Sequence, residues 1–328
     1  MRLSKRILQR LDANLVCRIN EIYHNLENVR YDEQHEDISK FELRFWRDVA
    51  QKYSREGKPS IWLDYGAGTG FVSSVVGEHL QEDDLLVCCD VSSEMLKICE
   101  AKLRNRSPRC RLSFRKNDST LIPADNDSVD VISVNSVLHH IFDLRDFAAE
   151  CERVLKPSGL FIVAHEPNKN TKLAFPGGFV RSLARIVFRP KAILFWVAEQ
   201  SPLSERLMRW ITGKVSDKYR RRNRMLADVA RQVRQEHLLD FDIRGTEIQQ
   251  IVDFHSQYGF DRNELCGHIF RRFEVVEFDT YGHLGFYPES KSAIAVERYL
   301  RKRWPDAGKE ICFVLRLTKK EITGDAEL

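Results

Sequence analysis

None of the eight cysteines, at 17, 88, 89, 99, 110, 151, 266 and 312, forms a C-x-x-C pair. That removes a zinc ribbon or a disulfide scaffold from the options, and Cys88-Cys89, side by side in an apolar run, read as buried thiols. Such cysteine usage fits a cytoplasmic setting. The opening Met1-Arg-Leu-Ser-Lys-Arg6 is not followed by the apolar stretch of a secretory leader, and no uninterrupted apolar run could span a bilayer. Internal repeats and low-complexity segments are also lacking, which removes repeat arrays.

The chain has 328 residues, 43% of them hydrophobic, enough for one large domain with additions. Its net charge of +4 is unevenly spread. Residues 169–234 hold sixteen Lys/Arg against four Asp/Glu, a surplus of twelve that leaves the remainder acidic by about eight. A basic partner-facing surface is the expectation there.

The most informative stretch is Ile61-Trp-Leu-Asp-Tyr-Gly-Ala-Gly-Thr-Gly-Phe71. A short apolar strand ends on Asp64, and glycines follow at 66, 68 and 70 before helix-forming residues resume. Glycines at such a turn permit positive φ and leave no Cβ in a ligand's way. The helix start beyond can offer N–H groups to a polar ligand. The dinucleotide fingerprint G-x-G-x-x-G wants its third glycine where Phe71 stands. Asp64 would also repel a pyrophosphate, so an amine and a sulfonium suit this loop better.

Short apolar strands then alternate with amphipathic segments, as in a βαβ series: 60–65, 84–89, 110–115, 129–134 and 159–165, with a helix at 144–156. Residues 1–55 read as amphipathic helices. After Pro167 the strand rhythm stops for about a hundred residues, and it returns at 273–281 and 311–317.

The D-x-G-x-G-x-G loop together with this rhythm resembles the class I S-adenosylmethionine (SAM)-dependent methyltransferases, over 56–167 and 268–320. The loop Val134-Asn-Ser-Val-Leu-His-His140 is similar to the Leu-His-His version of quinone-biosynthesis and many small-molecule methyltransferases. The resemblance implies an α/β fold, a seven-stranded Rossmann-like sheet with an antiparallel last strand. N-terminal helices (1–55) precede a SAM-binding core (56–167). A basic helical insertion (168–265) separates strands 5 and 6, and 266–328 supplies the last two strands and a tail.

It further implies a SAM site built from Asp64, Gly66, Ala67, Gly68 and Gly70, with Asp90 on the ribose diol and Val91 against adenine. Asn117-Asp118 would meet the adenine amino group, and Asn135 would border the methionine part. His140 and His139 are the candidates for removing an acceptor's proton, a task histidine suits at neutral pH. A helix-capping or packing role for either remains open. His165, Glu166, His255, Tyr281 and His283 are further candidates left unranked. No metal site is expected.

In 176–198, Arg181, Arg185 and Arg189 recur on one helical face and Phe179, Leu183, Ile186 and Val187 on the other. One expectation is a lid with its apolar face over the acceptor and its arginines in water. The other is peripheral contact of 176–224 with an anionic membrane. Nucleic acid is not expected, since no RNA-binding module accompanies the core. The expected activity is methyl transfer from SAM to a small-molecule or lipid-like acceptor, at oxygen or carbon. A non-catalytic SAM-binding scaffold and a nicotinamide-dependent oxidoreductase are the alternatives.

Overall fold

A computed structural model describes residues 3–28, 31–54, 58–117, 121–189 and 215–318. Seven strands form one sheet in the order β3-β2-β1-β4-β5-β7-β6. They are β1 Ile61–Tyr65, β2 Leu85–Asp90, β3 Arg111–Lys116, β4 Val129–Asn135, β5 Leu155–Pro167, β6 Phe273–Tyr281 and β7 Glu310–Leu317. The first five run parallel, and β7 is antiparallel to both β5 and β6. This is the doubly wound α/β sheet expected, with its strand order reversing between β1 and β4.

The central strands are apolar almost throughout because both faces are covered. One face carries Leu63, Val87, Ile132, Phe147, Phe161 and Phe313. The other packs Trp62, Leu86, Cys88 and Ile162 under Trp46, Val49 and Ala50. The edge strand β3 exposes Arg111, Arg115 and Lys116, charges that discourage pairing with another chain. All eight cysteines are unpaired thiols, Cys88 and Cys89 fully buried among them.

Around the sheet lie α1 Lys5–Leu8, α2 Ala13–Glu27, α3 Tyr31–Gln34, α4 Glu36–Tyr53, α5 Phe71–Gly77, α6 Ser93–Arg106 and α7 Leu144–Val154. The insertion between β5 and β6 contains α8 Gly177–Phe188, α9 Val215–Gln235 and α10 Gly245–Val252; α11 Lys291–Arg303 precedes β7. Caps punctuate several of these: Asp12 accepts from the Leu15 N–H, Ser92 from Met95 and Asp143 from Arg145 and Asp146. The expected helix at 144–156 ends two residues early, at Val154.

A second small core joins the N-terminus to the insertion. Ile7, Val16, Ile19, Ile22 and Tyr23 bury against Val229, Val233, Ile248, Ile251 and Val252. At about 1.5–3 kcal/mol for each fully buried apolar side chain, this contact holds α2, α9 and α10 together above the strand ends.

The helix α8 departs from expectation. Arg181 turns inward, donating to the carbonyls of His283, Thr171 (2.7 Å) and Ala307 (3.1 Å), and Arg185 donates to the Leu284 carbonyl at 3.1 Å. Ala184 packs with Leu284, Ala293 and Leu300 beside α11. The apolar face is the outward one, with Phe179 61%, Leu183 49%, Ile186 55% and Val187 61% exposed. A lid with its apolar face inward is therefore corrected, and of the arginines it is Arg181 that leaves water while Arg185 stays exposed. The Arg181 guanidinium finds three backbone acceptors at once, and charge-assisted bonds of this kind are stronger than neutral ones. The remainder of the expected lid, 190–198, lies outside the described residues. Among the described residues, no helix is long and apolar enough to cross a membrane.

Candidate functional site

A cavity lies beyond the carboxyl ends of β1, β2 and β4, where the strand order reverses. Its floor is Gly66, Gly68, Asp90, Val91 and Asn117; Tyr65 and Phe147 line one side, and Asn135, Val137 and His140 another. Its roof is α2, which contributes Ala13, Val16, Cys17, Asn20 and His24.

The three glycines of the loop are left-handed, with φ of +72° at Gly66, +52° at Gly68 and +87° at Gly70. Four of its N–H groups are already committed. Gly66 and Ala67 donate to the Cys89 carbonyl at 2.8 and 2.9 Å, Gly68 to Asp90 Oδ2 at 2.8 Å and Gly70 to the Ala67 carbonyl at 2.8 Å. A pyrophosphate needs several of these donors free. The loop instead lets a ligand approach closely without offering it an anion nest.

Asp64 does not reach the cavity, which corrects its expected contact with cofactor. Its Oδ1 accepts from the Ser133 hydroxyl at 2.9 Å, its Oδ2 from the Ser73 hydroxyl, and it is 1% exposed. Burial pushes its pKa up to about 6, against the pull of those hydroxyls. The side chain ties β1, β4 and the first turn of α5 together. Ala67 and Gly70 also lie outside the cavity lining. Ala67 packs in the core, and Gly70 caps α5 where a Cβ would fall 2.8 Å from the Cys99 sulfur.

Asp90 ends β2 at the cavity floor, 8% exposed. Its two oxygens accept from the Gly68 and Ser92 N–H groups at 2.8 Å each. A carboxylate keeps further lone pairs, so a diol can still be held. Burial raises its pKa, opposed by the Ser92 N–H and by nearby His24. Asn117 lines the cavity with its amide donated to the Tyr65 hydroxyl at 2.7 Å. Asp118 lies outside the described residues. Asn135 accepts from the indole N–H of Trp46 at 3.0 Å. Glycines without a Cβ, a carboxylate with lone pairs to spare and flanking apolar walls together fit SAM.

His140 stands between this cavity and an adjoining vestibule bounded by Tyr31, His35, Glu36, His139, Arg222 and Asp253. Its Nδ1 lies 2.6 Å from the Val252 carbonyl, which can only accept, so Nδ1 carries the proton and Nε2 the lone pair. Burial, then His139 and His24 nearby, holds its pKa well below the usual histidine value. His140 is neutral at pH 7. His139 lines the vestibule but not the cavity, and its Nδ1 lies 2.9 Å from Glu166. His139, His140 and Asp253 offer ligand atoms within 4.8 Å of one another, yet each imidazole Nδ1 is already engaged by Glu166 or Val252.

The remaining candidates sit elsewhere. His165 pairs with Glu42, which also accepts from the Tyr281 hydroxyl at 2.6 Å. His283 is fully buried between Glu297 and the Trp304 carbonyl. His255 packs its ring on Phe260. Sequence reading passed over His24, whose ring meets that of His140 edge-on at 5.2 Å. Burial opposes its charging, but Glu27, 3.2 Å away, outweighs this and raises its pKa. The available signal was the α2 stripe 13, 16, 17, 20, 24, in which Asn20 and His24 interrupt an otherwise small and apolar face.

Residues 63–163 match the family model described as a methyltransferase domain. The ubiquinone/menaquinone biosynthesis C-methyltransferase UbiE of Pectobacterium carotovorum is 25% identical over 145 residues, 44% of this chain and 57% of that protein. A demethylmenaquinone methyltransferase of Leptospira interrogans is 35% identical over 101 residues, 30% of this chain and 40% of that protein. The chain thus spans about half the length of the curated relatives it matches. Among solved structures, the complex between the Haloferax volcanii Trm112 methyltransferase activator and the putative methyltransferase aligns with a TM-score of 0.47 at 16% identity. That alignment covers 91% of this chain and 98% of that one.

Residues 63–163 form a class I SAM-dependent methyltransferase domain, and SAM is its cofactor. Its sequence is similar to quinone-biosynthesis C-methyltransferases.

Proposed function

We propose that this chain transfers a methyl group from SAM to a small-molecule or lipid-like acceptor, at oxygen or carbon, with His140 taking the acceptor's proton. SAM supplies an electrophilic methyl carbon on a sulfonium. Gly66, Gly68, Asp90, Val91, Asn117 and Asn135 would hold it. The chain's own contribution is to align an acceptor behind that methyl and keep water out. The α2 roof and the small core it shares with α9 and α10 close the site from above.

One observation carries the reading: His140 is common to the cavity and the vestibule, and its Nδ1 proton is taken up by the Val252 carbonyl, which leaves the lone pair on Nε2. A neutral imidazole with a free Nε2 lone pair is the form a general base requires. His139 would assist by shaping the vestibule wall. The decisive experiment incubates purified protein with methyl-labelled SAM and a lipid-plus-metabolite extract. Label should enter an acceptor, and His140→Ala should slow this roughly 10²–10⁴-fold. S-adenosylhomocysteine affinity by calorimetry should stay near wild type. Wild-type protein that binds S-adenosylhomocysteine but labels nothing would favour a non-catalytic SAM-binding subunit. The committed loop N–H groups weigh against the nicotinamide alternative.

We further propose peripheral contact with an anionic membrane through 176–224. The outward apolar face of α8, continued by Phe175 at 86% exposure, and the basic surplus of this stretch support it. Pelleting with anionic vesicles at low salt, lost in the Phe179→Ser/Leu183→Ser variant, is the expected result. Eight free thiols support a reducing, cytoplasmic compartment.

A further inference from the structure

Glu166 is fully buried at the end of β5, outside the cavity lining, and among the described residues no lysine or arginine pairs with it; its one side-chain partner is His139. Both carboxylate oxygens are turned onto the turn that carries His139 and His140. Oε1 accepts from the Val137 and Leu138 N–H groups at 2.7 Å each. Oε2 accepts from the His139 N–H at 3.2 Å and meets His139 Nδ1 at 2.9 Å. Three consecutive backbone donors converge on one carboxylate, an anion nest built within the protein.

The backbone of β5 is shaped to deliver it. The β5–β7 register shifts between Val163 and Glu166, and His165 in between is left-handed at φ +59°. A non-glycine residue there carries strain of about 1–3 kcal/mol, and bulges of this kind re-aim a side chain beside active sites. The neighbouring turn residue Ser136 is likewise left-handed, at φ +61°. His165 is itself held by Glu42, and its N–H donates to the Tyr281 hydroxyl at 2.9 Å. The irregularity is thus supported from two other elements.

The geometry points to Glu166 as the positioning residue of the acceptor loop: it pre-forms the Val137–His139 turn, and so aims His140 and the vestibule wall, before cofactor arrives. This deepens the methyltransferase reading and rests on it for the effect on turnover, whereas pre-formation of the turn stands by itself. A residue that only held the fold together would affect cofactor binding and methyl transfer alike. A positioning residue separates the two.

The test has a wild-type arm and a variant arm. In ligand-free protein, the amides of Val137, Leu138 and His139 should be protected from hydrogen exchange by roughly a hundredfold or more. Adding S-adenosylhomocysteine should change this by less than about threefold. In Glu166→Gln, which keeps the shape but presents an amide donor to N–H donors, these amides should exchange at least about tenfold faster. Label transfer from SAM into the extract should fall at least about thirtyfold. S-adenosylhomocysteine affinity should stay within about fivefold.

Free exchange of the three amides in ligand-free wild type would overturn the proposal, and this arm decides even if the variant fails to fold. Variant turnover within about threefold of wild type would also overturn it, as would equal losses of binding and turnover. Failure of wild-type protein to bind S-adenosylhomocysteine would instead remove the methyltransferase reading and leave the exchange result standing.

Discussion

Val137 occupies the space that a side chain at Gly66 would need: a Cβ built on Gly66 falls 2.2 Å from Val137 Cγ2. The glycine loop after β1 and the Val137–His140 turn after β4 therefore interlock. Because Gly66 is also left-handed, at φ +72°, Gly66→Ala faces both a clash and backbone strain. It should cost about 3 kcal/mol or more in thermal unfolding. Adding Val137→Ala should recover the steric part and leave about 1–2 kcal/mol of strain. A double variant no better than the single one would show that the two loops do not meet this way.

Asp90→Ala should leave the protein folded and weaken SAM binding by about 2–3 kcal/mol, roughly 30–150-fold by calorimetry. Part of that loss would be indirect, since Asp90 also fixes the Gly68 N–H. Unchanged affinity would remove the ribose assignment.

Stability should fall as pH rises from about 6.5 to about 9. Burial opposes the charging of His165, but Glu42 outweighs it and lifts the pKa to about 9. A raised folded-state pKa means the stabilisation is complete below the ordinary histidine value near 6.5 and is lost on passing about 9. The change is on the order of 3 kcal/mol, and denaturant titrations at pH 6.5 and 9.5 would read it. Glu42→Gln should flatten that dependence. A wild type equally stable at both pH values would contradict the pairing.

Arg181→Ala should destabilise by about 2–3 kcal/mol, because three backbone carbonyls lose a charged donor in a partly buried site. Phe179→Ser, on the opposite face of the same helix, should change stability by no more than about 0.5 kcal/mol. A reversed order in the two midpoints would restore the arginine-out orientation.

Much of the core was legible along the chain. The run from Ile61 to Phe71 specified a strand, a left-handed turn and a helix, since only glycine adopts positive φ freely at three alternate positions. The strands matched their apolar runs to within a residue or two, except β5, which begins four residues early and ends two late at Pro167. Asp90, Asn135 and His140 fell at strand ends or just beyond, and strand ends meet at the crevice by topology.

Asp64 looked like a cofactor contact because it is a carboxylate at a strand end. Alternation along β1 sent it to the α5 face, where Ser73 and Ser133 were waiting. His24 and the α2 roof were hidden because the residues they cover are more than forty positions away.

The sequence alone determined the local conformations and which strands could be buried, because these depend on φ/ψ preference and on apolar runs within a few residues. Periodicity gave α8 two faces but could not tell which one turns inward. That was decided by the carbonyls of Thr171, His283 and Ala307, which only the folded chain gathers around Arg181. Glu166 follows the same logic. Its partners, the three N–H groups of a turn nearly thirty residues earlier, exist as a cluster only once β4 and β5 lie side by side.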